Sequence, residues 1–234
     1  LDAAPADAPP VQVQGAGLVL REAVFNLVDN AIRYAGRGAE ALPELTAVAN
    51  EYPKLEGAWS VFVPAPSLGE AHRLMGHYVV AIALQRESLK AIPADQPAIN
   101  RHRSRGLTEL GLALSGNGQF KEALAAFDEA LPLYDETLLS PTPYRTDALI
   151  GRGRARLALG QTSTALADLE AADKFWRDFD SGNRGAGEAA YWLGRAQLET
   201  GRNSAGHENL RRAASILRGS PLATDRALVA SAGN

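Results

Sequence analysis

Two sets of glycines recur along this chain at nearly constant spacing, and this repeat limits the possible folds more than any other feature. The members of the first set lie 42, 42 and 41 residues apart, and the second set repeats these intervals: Gly69, Gly111, Gly153 and Gly194, then Gly76, Gly118, Gly160 and Gly201. A fixed period of about 20–50 residues indicates an array of similar units, each of which buries its apolar side against its neighbours. The 234-residue chain is therefore predicted to form a one-dimensional stack rather than a globule around one core.

Each repeat predicts a pair of antiparallel helices. In the second repeat, Leu107 and Leu114 have helical spacing and precede Gly118, which can adopt the left-handed conformation that ends a helix. A second apolar stripe follows, with Ala123 and Phe127 on one face. Glycine and alanine at fixed positions allow two helices to approach closely, and the large residue between them fills the remaining space.

Prolines separate the repeats, with one exception. The prolines between the repeats are Pro93, Pro97, Pro141, Pro143 and Pro221. Pro132 lies inside a predicted helix, which we expect it to end or kink because it lacks a backbone N–H. The segment from Ser220 to Ala232 predicts a short helix that caps the stack.

The second repeat carries a family resemblance. Leu110-Gly111, Leu114, Ala123, Phe127 and Ala130 resemble the tetratricopeptide (TPR) signature in order and spacing. The period of about 42 residues exceeds the usual TPR length of about 34 residues. In this respect the chain resembles the long-helix TPRs of kinesin light chains and of bacterial signalling proteins. The resemblance covers residues 68–217 and implies an all-α, right-handed TPR-like α-solenoid of antiparallel helix pairs with a C-terminal capping helix. A HEAT-like solenoid is the structural alternative.

Some repeats depart from the signature, and the chain divides into unequal parts. Gln85 occupies the large apolar position of the first repeat, and Arg152 replaces a leucine in the third. We expect an extended or disordered segment at 1–16, a helical segment at 17–66, four TPR-like repeats at 67–218, and a capping helix and tail at 219–234.

A second resemblance lies near the N-terminus. Residues 18–34, LVLREAVFNLVDNAIRY, resemble the N box of sensor histidine kinase ATPase domains. The resemblance implies that Glu22, Asn26 and Asn30 would serve a magnesium nucleotide. No Asp-x-Gly-x-Gly turn or glycine-rich lid follows, although backbone amides in such loops hold the phosphates. The alternative that we prefer is a degenerate first helix pair packed on the array.

Composition and motifs argue against catalysis, cofactors and metals. The chain has no cysteine, and its histidines, which include His72 and His77, are scattered, without acidic neighbours at metal-ligand spacing. The sequence contains no Gly-x-Ser-x-Gly turn and no phosphate-binding loop. We therefore predict a protein that is not an enzyme, with no cofactor and no metal site.

The charge balance and the apolar runs define the expected setting. The net charge of −3 excludes a broadly basic nucleic-acid binder, and the longest apolar run, Val79 to Leu84, is too short to span a membrane. The chain starts at Leu1 without a basic and apolar signal sequence, so we expect a fragment or processed product in the cytoplasm.

The first helix of each TPR lines a concave groove, and arginine recurs at the corresponding positions. The predicted groove residues are Glu70, Arg73, Arg105, Thr108, Ile150, Arg154, Tyr191 and Arg195. Guanidinium groups bind carboxylates in bidentate fashion, so we expect an acidic peptide or a C-terminal carboxylate as ligand. No row of aromatic residues accompanies the arginines, which disfavours single-stranded nucleic acid.

Three hypotheses about function follow. The first is a non-enzymatic TPR-type scaffold that binds a peptide or partner segment in this groove, as part of a bacterial signalling or regulatory protein. The second is a nucleotide-binding remnant of a histidine kinase ATPase domain. The third is a structural, self-associating helical array.

Overall fold

The computed structural model describes residues 64–90, 100–137, 142–220 and 222–232, and all regular structure in these ranges is α-helical. The helices are α1 (Pro64–Leu74), α2 (Tyr78–Lys90), α3 (Asn100–Gly116), α4 (Phe120–Thr137), α5 (Pro143–Ala158), α6 (Thr162–Phe179), α7 (Arg184–Glu199), α8 (Asn203–Leu217) and α9 (Ala223–Ala232). The predicted segment 1–16 and nearly all of 17–66 lie outside these ranges, so that division of the chain stays a prediction.

One glycine turn joins the two helices of each pair. Gly76, Gly118, Gly160 and Gly201 have φ angles between 73° and 80°, in the left-handed region that favours glycine. In each turn the following residue donates its N–H to a carbonyl in the last turn of the first helix, as Gln119 does to Leu114 at 2.9 Å. This arrangement is a Schellman motif, and it confirms the predicted role of the second glycine set.

The first glycine set allows the paired helices to approach closely. A Cβ added to Gly111 would lie 2.7 Å from the ring of Phe127, and one added to Gly153 would lie 2.6 Å from Leu169. Both distances are shorter than van der Waals contact allows. Phe127 and Leu169 are fully buried at equivalent positions of their second helices, as the sequence pattern predicts.

The two departures from the TPR signature have distinct structural solutions. Gln85 is fully buried against Gly69, in the place that a large apolar residue fills in the other pairs. Arg152 extends from α5 to a pair of carboxylates on the neighbouring second helices. It donates to Asp128 at 3.0 Å and to the buried Asp168 at 2.7 Å. An ion-pair link between pairs thus replaces the expected leucine contact.

Of the two effects expected of Pro132, ending or kinking its helix, the first does not occur. It lies inside α4, which continues to Thr137. The proline is exposed, so the carbonyl that loses its helical partner lies on the solvent side of the helix.

The pairs stack so that the first helices lie on one side. Successive first helices contact one another (α1 with α3, α3 with α5, α5 with α7), and each second helix packs on the first helix of the next pair. Second helices of neighbouring pairs have far less mutual contact. The row formed by α1, α3, α5 and α7 is therefore the inner, concave side of the stack, which we call the inner face.

The stack has a continuous core and a closed C-terminal end. One cluster of buried side chains extends from Ala81 in α2 to Ala189 in α7. Beyond it, Leu228 of α9 packs against a smaller cluster that α7 and α8 share, so α9 is the predicted capping helix. The fold is thus an all-helical solenoid of TPR-like pairs.

Candidate functional site

The α1 end of the inner face has alternating charges from neighbouring first helices. Arg73 of α1 donates through Nε to Glu109 of α3 at 2.8 Å, and Arg105 of α3 donates to Glu70 of α1 at 3.2 Å. All four side chains are at most one-fifth exposed. Arg105 also lies over the ring of Tyr144, 4.7 Å from its centroid. These two predicted groove arginines therefore already have carboxylate partners.

Burial and the paired charges act in opposite directions on these groups. Burial alone would lower the pKa of Arg73 and Arg105, but the carboxylates of Glu109 and Glu70 outweigh it and raise both values. The pKa of Glu70 is raised by burial and by the nearby Glu109 carboxylate, against the effect of the two arginines. Both guanidinium groups accordingly remain charged and serve to link α1 to α3.

The C-terminal end of the inner face has a second ion-pair group. Arg184 of α7 binds Asp225 of α9 through two nitrogens, at 2.8 and 2.7 Å, and contacts Glu188 at 3.0 Å. The Asp225 side chain is fully buried and also accepts from Ser220 Oγ at 2.5 Å. Such a bidentate pair fixes the capping helix on the stack.

Asp147 of α5 lies between these two groups and lacks a comparable partner. In the described part of the chain its carboxyl makes no hydrogen bond or ion pair, although Glu109 and Glu188 lie near enough to repel its charge and Arg73 and Arg184 near enough to attract it. Burial raises the pKa of Asp147 to about 8, with further contributions from Glu188 and Glu109 that Arg184 and Arg73 oppose. The middle of the inner face therefore presents a carboxyl with unused hydrogen-bonding capacity.

Arg154 and Arg195, which we call the arginine pair, occupy equivalent positions on α5 and α7. The guanidinium of Arg154 lies over the ring of Trp192, 5.1 Å from its centroid, and reaches the carbonyl of Ser115 at 3.5 Å. Arg195 is exposed and donates to the hydroxyl of Tyr191 at 3.2 Å. Neither side chain contacts a carboxylate within the residues that the structure covers.

Three predicted groove residues are covered by their neighbours. Thr108, Ile150 and Tyr191 are each no more than 3% exposed. The Thr108 hydroxyl donates to the carbonyl of Ser104 at 2.9 Å, and the Tyr191 hydroxyl bonds to Ser231 of α9 at 2.8 Å. These three buried residues pack between helices and are not available to a ligand. The predicted groove residues that remain on the inner face are the four arginines and Glu70.

Apart from Glu70, sequence reasoning missed the carboxylates of the inner face. Asp147 and Glu188 occupy the same position in their repeats as Arg105, at intervals of 42 and 41 residues. The same alignment that selected the arginines could have found them. Glu109 and Asp225 have no such signal, because their roles depend on which helices contact each other.

The remaining candidates from the sequence are the histidines and the nucleotide-binding residues near the N-terminus. His72 and His77 come together through the Gly76 turn, with their Nδ1 atoms 3.3 Å apart. Within these residues no three His, Asp or Glu side chains are grouped as a metal ion would require. The candidate nucleotide residues Glu22, Asn26 and Asn30 lie outside them. Among the described helices we find none with the length and apolar character of a bilayer span.

Glycine-closed helix pairs that stack with their first helices on the concave side define the fold class as a TPR-like helical repeat. Known structures agree with this assignment. A variant of a Podosopora anserina protein, described as a kinesin light chain with nearly identical TPR-like repeats, superposes with a TM-score of 0.60 at 22% identity. The similarity covers 87% of this chain and 97% of that one.

Two Rap proteins are also similar to the chain in fold. The Rap conjugation gene regulator of plasmid pLS20, solved with the Phr* peptide, has a TM-score of 0.68 at 14% identity, covering 99% of this chain and 63% of its own. A Rap protein complexed with competence and sporulation factor has a TM-score of 0.68 at 14% identity, covering 97% and 61%. No family model and no curated protein sequence matches the chain. At these identities the likeness shows the fold.

Proposed function

We propose that this protein is a non-enzymatic scaffold whose inner face binds a peptide or an extended segment of a partner protein. The arginine pair carries the proposal. Arg154 and Arg195 lie on adjacent first helices of the concave side, and within the described residues neither contacts a carboxylate. A guanidinium without a carboxylate partner can donate hydrogen bonds to the carboxylate of an acidic side chain or of a C-terminus.

The other two predicted arginines have a different role in this proposal. Arg73 and Arg105 are paired with Glu109 and Glu70, so an incoming carboxylate would have to compete with these partners. Their contribution is to hold α1 against α3 and to keep the inner face in shape. Ligand binding is thereby assigned to α5 and α7.

The similar structures support the proposal without sharing its residues. The two Rap proteins are described in complex with the Phr* peptide and with competence and sporulation factor. One of them is a conjugation gene regulator. We propose, by analogy with these regulators, that the scaffold belongs to a bacterial signalling or regulatory protein, and we keep the cytoplasm as its expected location.

Peptide binding with reversed charges tests the proposal. The probe is a fluorescein-labelled peptide with two aspartates in an alanine and proline background, compared with the same peptide carrying asparagines. Because a charge-assisted contact contributes roughly 1.5–3 kcal/mol, the wild type should prefer the aspartate peptide about ten-fold or more in fluorescence anisotropy. The double variant R154E/R195E should lose this preference.

A matched control separates groove binding from general electrostatics. Lys121 and Arg211 are exposed on the second helices α4 and α8. The double variant K121E/R211E changes the net charge equally and should retain the preference. Equal binding of both peptides by the wild type, or a preference that survives in R154E/R195E, would contradict the proposal.

A further inference from the structure

The first helices α5 and α7 each carry a carboxylate and an arginine on the inner face at the same separation. Asp147 precedes Arg154 by seven residues, and Glu188 precedes Arg195 by seven. Seven residues make about two helical turns, so each pair lies on one side of its helix and about 10 Å apart along the axis. The inner face therefore has an acidic row beside the basic row formed by the arginine pair.

The two rows are not equally available to a ligand. Glu188 accepts a hydrogen bond from Arg184 at 3.0 Å, whereas Asp147 makes no hydrogen bond or ion pair in the described part of the chain. The two cations whose charges act on Asp147 already have carboxylate partners: Arg73 pairs with Glu109, and Arg184 pairs with Glu188 and Asp225. Asp147 and Arg154 are thus the acid and the base of α5 that retain capacity for an external partner.

Charge complementarity defines the chemistry of that partner. A primary ammonium or a guanidinium placed at Asp147 would supply the missing donor and offset the repulsion from Glu109 and Glu188. The ring of Trp192 lies against the guanidinium of Arg154. A carboxylate placed beside Arg154 would accept hydrogen bonds from the N–H groups of this guanidinium. A ligand that offers both groups about 10 Å apart satisfies both side chains at once.

We propose that the inner face selects a segment with a basic and an acidic side chain three residues apart. The basic group binds Asp147 and the acidic group binds Arg154, and this inference rests on the peptide-binding function proposed above. An extended polyproline II segment has three residues per turn and rises about 3.1 Å per residue. Its residues i and i+3 therefore lie on one side, about 9 Å apart. This separation matches the spacing of Asp147 and Arg154 along α5.

The test adds a lysine to a peptide with a single aspartate in the alanine and proline background. In one peptide the lysine lies three residues from the aspartate, and in a second peptide it lies six residues away. Anisotropy is measured at pH 8.5 and low salt, above the pKa of about 8 for Asp147. The three-residue spacing should tighten binding about ten-fold over the aspartate-only peptide, and the six-residue spacing less than about two-fold.

Two variants with the same change in charge assign the effect to Asp147. D147N should lose the gain from lysine and keep the response to aspartate. D178N removes an exposed carboxylate from α6, which pairs only with Lys174 among the described residues, and should keep both responses. Circular dichroism confirms that each variant is folded.

The outcomes distinguish this inference from the function on which it rests. If aspartate peptides bind through Arg154 and Arg195 but lysine adds nothing at either spacing, the scaffold function stands and this inference is wrong. A gain that survives in D147N, or that is equal at both spacings, also overturns it. If no peptide binds the wild type, both proposals are wrong.

Discussion

Replacing Asp147 by asparagine should stabilise the protein at neutral pH, even though it removes a candidate binding residue. Asp147 is half-buried among Glu109 of α3, Glu188 and Arg184 of α7, and Arg73 of α1. Burial and the two neighbouring carboxylates oppose its ionisation more strongly than the two arginines favour it. Asparagine has the same shape without the charge.

The size of the effect follows from the two pKa values. The carboxyl titrates near 3.8 in the unfolded chain and at about 8 in the folded protein. Between these values the folded protein holds a proton that the unfolded chain has released, so stability falls as pH rises, by about 1.4 kcal/mol per pH unit. From pH 5 to pH 7 the wild type should therefore lose about 2–3 kcal/mol relative to D147N. Above pH 8 the difference should become constant.

Urea unfolding followed by circular dichroism at pH 5, 6, 7 and 8 measures this difference. D178N serves as the control, because Asp178 is exposed, and its pH dependence should parallel that of the wild type. A D147N variant whose stability has the same slope with pH as the wild type would refute the reasoning. So would a variant that is less stable than the wild type at pH 7.

Two further predictions concern the helix pairs and use the same unfolding assay. Gly118→Ala should lower the free energy of unfolding by about 1–2 kcal/mol, because the φ angle of Gly118 is +79°. The control Gly219→Ala lies in open space with an ordinary φ and should change the free energy of unfolding by less than about 1 kcal/mol. Equal effects of the two substitutions would contradict the turn assignment. Phe127→Ala should lower the free energy of unfolding by about 3–5 kcal/mol, because the fully buried ring of Phe127 fills the space beside Gly111 and Gly151. Phe179 is exposed, so the control Phe179→Ala should lower it by less than about 1 kcal/mol. A loss for Phe127→Ala that is no larger than the control's would show that the ring is not part of the core.

The fold could be predicted from sequence because it depends on contacts within one repeat. Gly118 and Gln119 close a turn with carbonyls only a few residues earlier, and Gly111 contacts Phe127 of the same pair. Such short-range requirements recur in every repeat, so they appear as columns in the aligned sequence. Arg152 shows the limit of this method, because its substitution for leucine has meaning only beside Asp128 and Asp168.

The charge pairing of the inner face could not be predicted in the same way. Equivalent positions lie 41 or 42 residues apart, but Arg73 pairs with Glu109 at a separation of 36, and Glu70 with Arg105 at 35. Neighbouring first helices are therefore shifted by about six or seven residues, roughly two helical turns, relative to the repeat. A repeat alignment does not contain this shift. It could identify recurring arginines, but not which of them already have a carboxylate partner.

The distribution of partners along the inner face concentrates the proposed binding on α5. At the α1 end, Arg73 and Arg105 link neighbouring helices through Glu109 and Glu70, and at the C-terminal end Arg184 fixes α9 through Asp225. An inner face shaped by stability alone would have a neutral side chain at position 147, because the carboxyl there opposes folding at neutral pH. A cationic ligand would reverse that effect, since it would favour the ionised carboxylate and bind only the folded stack. The residue that costs stability in the free protein is therefore the one expected to couple folding to ligand binding.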